Sequence, residues 1–233
     1  MTHALTHLLV RICRALGLPD WAALFVLVPI LLLGAVGVVL VRQKFIRILK
    51  RKIAPYDGTL RYGLIFWAPT AHFSVDGIPG ILPWCSLLGT TRIRFDRLGA
   101  AGRLVADSRP ISDAVAKAFR GERVVAKDRL FSTRFQAVGA PVAFADAVLD
   151  EAIRRRLLAL LQMSRTSQGR GRVAEYFYSS SNPPGRVRLE IDGKTMTLTL
   201  QARLGTKEIE ELLGHAAALV RQVREASDPT AAR

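Results

Sequence analysis

The chain has 233 residues, enough for one ordinary domain plus an anchor, and half of them are hydrophobic. Its two cysteines, Cys13 and Cys85, lie on either side of one apolar block, which excludes a disulfide framework. The net charge of +15 excludes no anionic partner by itself, because it suits anionic lipid and nucleic acid alike.

In residues 1–20, Leu5, Leu8, Leu9, Ile12 and Leu16 recur at helical spacing opposite His7, Arg11 and Arg14, ahead of Gly17 and Pro19. That pattern predicts a short interfacial amphipathic helix. Cys13 within it could be acylated, although a small interfacial side chain is the plainer account. Residues 21–41, Trp21 to Val41, hold no charged or strongly polar side chain. A helix of that length spans about 30 Å, the thickness of bilayer hydrocarbon, so a single transmembrane helix is predicted. Pro29, Gly34 and Gly37 are tolerated in such a helix. A cleaved signal peptide fits poorly, because the block is long and runs straight into Arg42 without a small-residue cleavage site.

Six cations follow within a dozen residues: Arg42, Lys44, Arg47, Lys50, Arg51 and Lys52, with no acid among them. Only Arg11 and Arg14, offset by Asp20, precede the block. The positive-inside rule therefore places the N-terminus outside and the rest in the cytoplasm. Phe45, Ile46, Ile48, Leu49 and Ile53 alternate with the cations, so residues 42–55 predict a basic juxtamembrane helix. Its six cations are candidate contacts to anionic lipid headgroups, with a plain stop-transfer anchor as the simpler alternative.

Residues 56–226 predict a cytoplasmic α+β domain, and 227–233 a frayed tail. Short β-rich runs at 60–67, 71–75, 91–95 and 103–106 are bounded by Gly, Pro or Asp, and Asp76-Gly77 signals a hairpin. A short helix is expected over 113–119 and a half-buried strand over 130–138. Helices follow from Pro141 and from an Asp150 cap, the second with Ile153, Leu157, Leu160 and Leu161 on one stripe. Strands are expected at 173–178, 187–191 and 195–202, the last two joined by Asp192-Gly193, and then a helix over 206–225 with Ile209, Leu212, Leu213, Ala216, Val220 and Val223 on one side. Without a regular βαβ cadence, the sheet should be mainly antiparallel and covered by helices.

Phe131-Ser-Thr-Arg-Phe-Gln-Ala-Val-Gly139, then Phe144-Ala-Asp-Ala-Val-Leu-Asp150 and Arg154-Arg-Arg-Leu-Leu-Ala-Leu160, carry a resemblance. Over about 130–223 the chain resembles uncharacterised bacterial single-pass membrane-anchored proteins with a C-terminal cytoplasmic α+β domain. The resemblance implies that architecture and no activity.

No catalytic, cofactor or metal motif emerges. His3, His7, His72 and His215 lack metal-pair spacing, and there is no Cys-x-x-Cys. His72, Ser74 and Asp76 are the residue types of a triad, but along one strand they would point the same way instead of converging. Gly169-Arg170-Gly171 lacks a third glycine and a strand-to-helix setting. Arg154, Arg155, Arg156, Arg170 and Arg172 form a possible basic interaction patch, with Arg165 between them; a solvated helix face is the plainer reading. The aromatic run Tyr176-Phe177-Tyr178 would send rings to both faces of a strand, unlike a base-stacking platform, which disfavours nucleic acid. The sequence thus points to a noncatalytic, cofactor-free interaction or assembly protein whose partners are the membrane, its anionic lipids and an unidentified protein. An enzyme on a membrane-associated substrate and a membrane-tethered nucleic-acid binder are the alternatives.

Overall fold

The uncharged block and the cations after it form one continuous helix, α1 (Ala22–Ile53), with Pro29 inside it and Lys50, Arg51 and Lys52 in its last turn. The computed structural model describes residues 22–62, 69–83, 90–119, 121–125, 128–168, 185–202, 204 and 206–228. The predicted amphipathic segment, Trp21 and both cysteines lie outside them. The chain divides into two units, Met1–Ile48 and Leu49–Arg233. In the first, Leu32, Leu33, Val36 and Leu40 are exposed, while the side chains of 22–27, 30–31, 34–35, 38, 41–42 and 45 lie outside the described set. Among the described residues no helix is long and apolar enough to cross a membrane.

The second unit takes in the end of α1, where Leu49 and Ile53 are 1% and 0% exposed. The helix stops for a local reason. Pro55 sits in a 3-10 turn (Ala54–Tyr56), Asp57 turns left-handed at φ 51°, and the Gly58 N–H bonds the Ile53 carbonyl at 3.0 Å. A Cβ on Gly58 would lie 2.5 Å from that of Ile53, so only glycine fits the return.

The strands are β1 (Thr59–Tyr62), β2 (Pro69–Val75), β3 (Ile78–Pro83), β4 (Thr91–Phe95), β5 (Arg103–Asp107), β6 (Glu122–Arg123), β7 (Gln136–Ala140), β8 (Val187–Ile191) and β9 (Met196–Leu200). They form one sheet in the order β1-β2-β3-β4-β9-β8-β5-β7-β6, with every pairing antiparallel. The helices of this unit are α2 (Asp113–Phe119), α3 (Arg129–Arg134), α4 (Val142–Val148), α5 (Glu151–Gln168) and α6 (Thr206–Ser227). The architecture is therefore α+β with a large antiparallel sheet.

Strand alternation separates two faces. Phe73, Leu82, Phe95, Leu104, Leu189 and Leu198 are buried on the inner one, where α4 contacts β5 and β7, α5 contacts β8 and β9, and α6 packs on both helices. There Leu157 and Leu160 of α5 and Leu212 and Val220 of α6 are all 0% exposed, as their stripes predict. Burying each such side chain contributes about 1.5–3 kcal/mol. Close approach also fixes a glycine: a Cβ on Gly139 of β7 would lie 2.4 Å from that of Ala145 on α4.

Two local expectations change. Residues 130–138 are not one strand. Asp128 caps α3 by accepting the N–H groups of Leu130 and Phe131, and β7 begins only at Gln136. Phe131 and Phe135 recur every four residues, and their rings stack 4.9 Å apart at 5°, so the helical pairing won over the alternation. The second change is an added strand, β6, while β3 supplies the second arm of the expected Asp76-Gly77 hairpin through a run with Pro79, Gly80 and Pro83. Both prolines point outward, and a Cβ on Gly80 would meet the rings of Phe73 and Phe95 at 2.8 and 2.9 Å. The Asp76-Gly77 turn holds, with φ of 50° and 81° closing Val75 on Ile78. The strand expected at 173–178 lies outside the described residues.

Candidate functional site

The six juxtamembrane cations do not share one environment. At 3.6 residues per turn, Lys44, Arg47 and Arg51 fall on one side of α1 and Leu49 and Ile53 on the opposite side. Lys44, Arg47, Lys50 and Arg51 are exposed. Lys52 is half-buried and paired with Glu210 of α6, which ties the helix end to the domain. The Arg42 side chain lies outside the described set, as do Arg170 and Arg172.

The arginine run of α5 is dispersed, because adjacent helical residues point about 100° apart. Arg154 Nη1 donates to the Leu149 carbonyl at 3.0 Å, closing the end of α4, and its Nε is buried without a partner among the described residues. Arg155 is exposed and pairs with Glu151 one turn earlier. The charge of Arg156 acts on His215 of α6, whose Nδ1 is also buried without a partner among the described residues. Burial, and then the Arg156 charge, hold His215 below the usual imidazole range against the opposing pull of Glu211.

Arginines gather instead on the outer face of the sheet. Cross-strand register puts Arg92 (β4), Thr199 (β9), Arg188 (β8) and Asp107 (β5) in one row. Asp107 is 1% exposed. Its Oδ1 accepts Arg186 Nε at 3.2 Å and the Arg109 N–H at 3.0 Å, and its Oδ2 accepts Arg186 Nη2 and lies 3.5 Å from Arg188 Nη1. The hydrogen bonds that Arg186 donates to Asp107 hold its guanidinium above the ordinary range. Arg188 also grips Glu190, with Nε at 2.8 Å, and Arg109 Nη2 donates to Gln201 at 2.8 Å. Arg92 is exposed and has no hydrogen-bond or ion-pair partner among the described residues. Sequence reasoning missed this group. The signal available was the alternation of arginines with apolar residues in Thr91-Arg-Ile-Arg-Phe95 and Arg186-Val-Arg-Leu189, which marks outward positions but not which strands meet.

Other polar residues do not converge. His72 and Ser74 lie on the outer face, whereas the Asp76 carboxylate is taken by Arg221 at 2.8 Å and held below the usual range by that hydrogen bond. Among the described residues no group of three or more His, Cys, Asp or Glu could hold a metal ion. A cavity of about 190 Å³ opens beside α2, floored by the Phe131–Phe135 stack and walled by Val124, Val125 and Val138, with Arg123 and Asp113 in its lining.

No protein-family model matches the chain, and no curated protein matches it. One solved structure is similar to it: the crystal structure of the mycobacterial trehalose monomycolate transport factor A, TtfA. The likeness is 11% identity over 77% of this chain and 92% of that chain, with a TM-score of 0.41.

Proposed function

We propose that the chain is a single-pass membrane-anchored protein that works by binding, with its α+β domain as an interaction or assembly module at the cytoplasmic face of a bacterial inner membrane. Residues 21–41 cross the bilayer with the N-terminus outside. Lys44, Arg47, Lys50 and Arg51, with Arg42 and Lys52, then lie within a Debye length of the headgroups, where each cation contributes on the order of 1 kcal/mol with anionic lipid. The observation that supports this reading is the continuity of α1: one helix carries the uncharged block, then the cations, and ends with Leu49 and Ile53 in the core of the sheet unit.

Fusion of reporters after Arg233 tests the topology. A reporter active only in the cytoplasm should work there, and one active only outside the membrane should not. Changing all six cations to glutamine should give mixed orientation, because the asymmetry that sets topology is then lost. Activity of the external reporter on the unchanged chain refutes the proposal.

A further inference from the structure

We propose that the outer face of the sheet around Thr199 binds the phosphate group of a soluble ligand. Arg92 and Arg188 flank Thr199 in the register, and the guanidinium groups of Arg186 and Arg109 join the same face through Asp107 and Gln201, against the carboxylates of Asp107 and Glu190. The group therefore carries an excess of two positive charges, which a phosphate dianion neutralises.

The arrangement is organised from beneath. Asp107 is too buried for a ligand to reach, yet it fixes Arg186 through two nitrogens and steadies Arg188, whose side chains remain 31% and 24% exposed. Each guanidinium has five donors in a rigid fork, so those not spent on Asp107, Glu190 and Gln201 remain for an anion. Stability does not account for such a group, since a buried ion pair is often no better than an apolar replacement of similar volume. Arg92 supplies a fork that is free among the described residues, one strand from the Thr199 hydroxyl and two from Arg188. Oxygen-rich phosphate, which takes bidentate arginine and a hydroxyl donor together, matches this donor set. A lipid-borne phosphate fits less well. The outward positions of β4, β9 and β8 are Arg92, Arg94, Thr197, Thr199, Arg188 and Glu190, with no apolar side chain to receive an acyl chain.

The test is calorimetric titration of the full chain, in neutral detergent at low salt, with inorganic pyrophosphate. Saturable binding with a Kd of about 1 mM or tighter is expected. Arg92→Gln should weaken it about tenfold, the size of one lost charge-assisted hydrogen bond, without moving the unfolding temperature of this exposed site. Arg92→Lys, which keeps the charge but not the fork, should fall between. Lys50→Gln with Arg51→Gln should leave binding unchanged. The proposal is overturned if pyrophosphate does not saturate the chain, if Arg92→Gln binds as well as the parent, or if the helix-end variant removes binding. It is also overturned if polyglutamate competes as well as pyrophosphate, or if only phosphatidic acid in nanodiscs binds.

Discussion

Arg154, Arg155 and Arg156 are consecutive in the chain, whereas Arg92, Arg109, Arg186 and Arg188 come from three separate stretches. The first three end in three environments: a helix end, a solvated pair with Glu151, and a neighbour of His215. The other four end on one sheet face around Asp107 and Thr199. Adjacency along a helix separates side chains by rotation, and register across an antiparallel sheet collects them from a distance. A basic run is thus a poor guide to a basic surface when the run is helical.

Substitutions on and around the two groups sharpen this contrast, each read by thermal unfolding of the detergent-solubilised chain. The largest effect lies on the opposite side of the arginine helix itself. Leu160→Ala should cost about 2–5 kcal/mol through the cavity it leaves, and an unchanged unfolding temperature would remove α5 from the core. Next is the organiser of the sheet group. Asp107→Ala strands Arg186 and Arg188 and should cost roughly 3 kcal/mol, the low end for a broken buried pair because both arginines are partly exposed. If this change is as mild as a surface substitution, the group is not organised through Asp107.

Smaller effects belong to the dispersed run. Arg154→Ala releases the Leu149 carbonyl and should cost about 1 kcal/mol. His215, depressed below its unfolded value of 6.5, stays neutral in the folded chain while the unfolded chain takes up a proton. Its contribution is therefore complete above that value and is lost as pH falls through it. His215→Gln should flatten the loss of stability on acidification below about pH 6.5, and an identical slope in the variant would exclude this origin. Arg155→Ala is the smallest, below about 0.5 kcal/mol and fading with salt, as for any exposed i,i+4 pair.

What was legible followed from signals contained within a few residues. Asp76-Gly77 fixed a two-residue hairpin, Asp150 marked the start of α5 through its bond to the Ile153 N–H at 2.7 Å, and the stripes of α5 and α6 identified their buried faces. Where two local periods competed, the reading failed. Phe131 and Phe135 satisfy both strand alternation and a helical i,i+4 pair, and the Asp128 cap decided between them.

By itself, the sequence determined the uncharged block with its cationic border, the α+β class and the residues that face the core, because charge, length and periodicity are properties of neighbours along the chain. Tertiary structure alone decided that Leu49 and Ile53 belong to the folded domain, that Lys52 meets Glu210, and that Asp107 gathers Arg186 and Arg188 from the other end of the chain. Those are matters of register and helix rotation between distant segments. They are set by burial of the whole core, to which no single stretch of sequence has access.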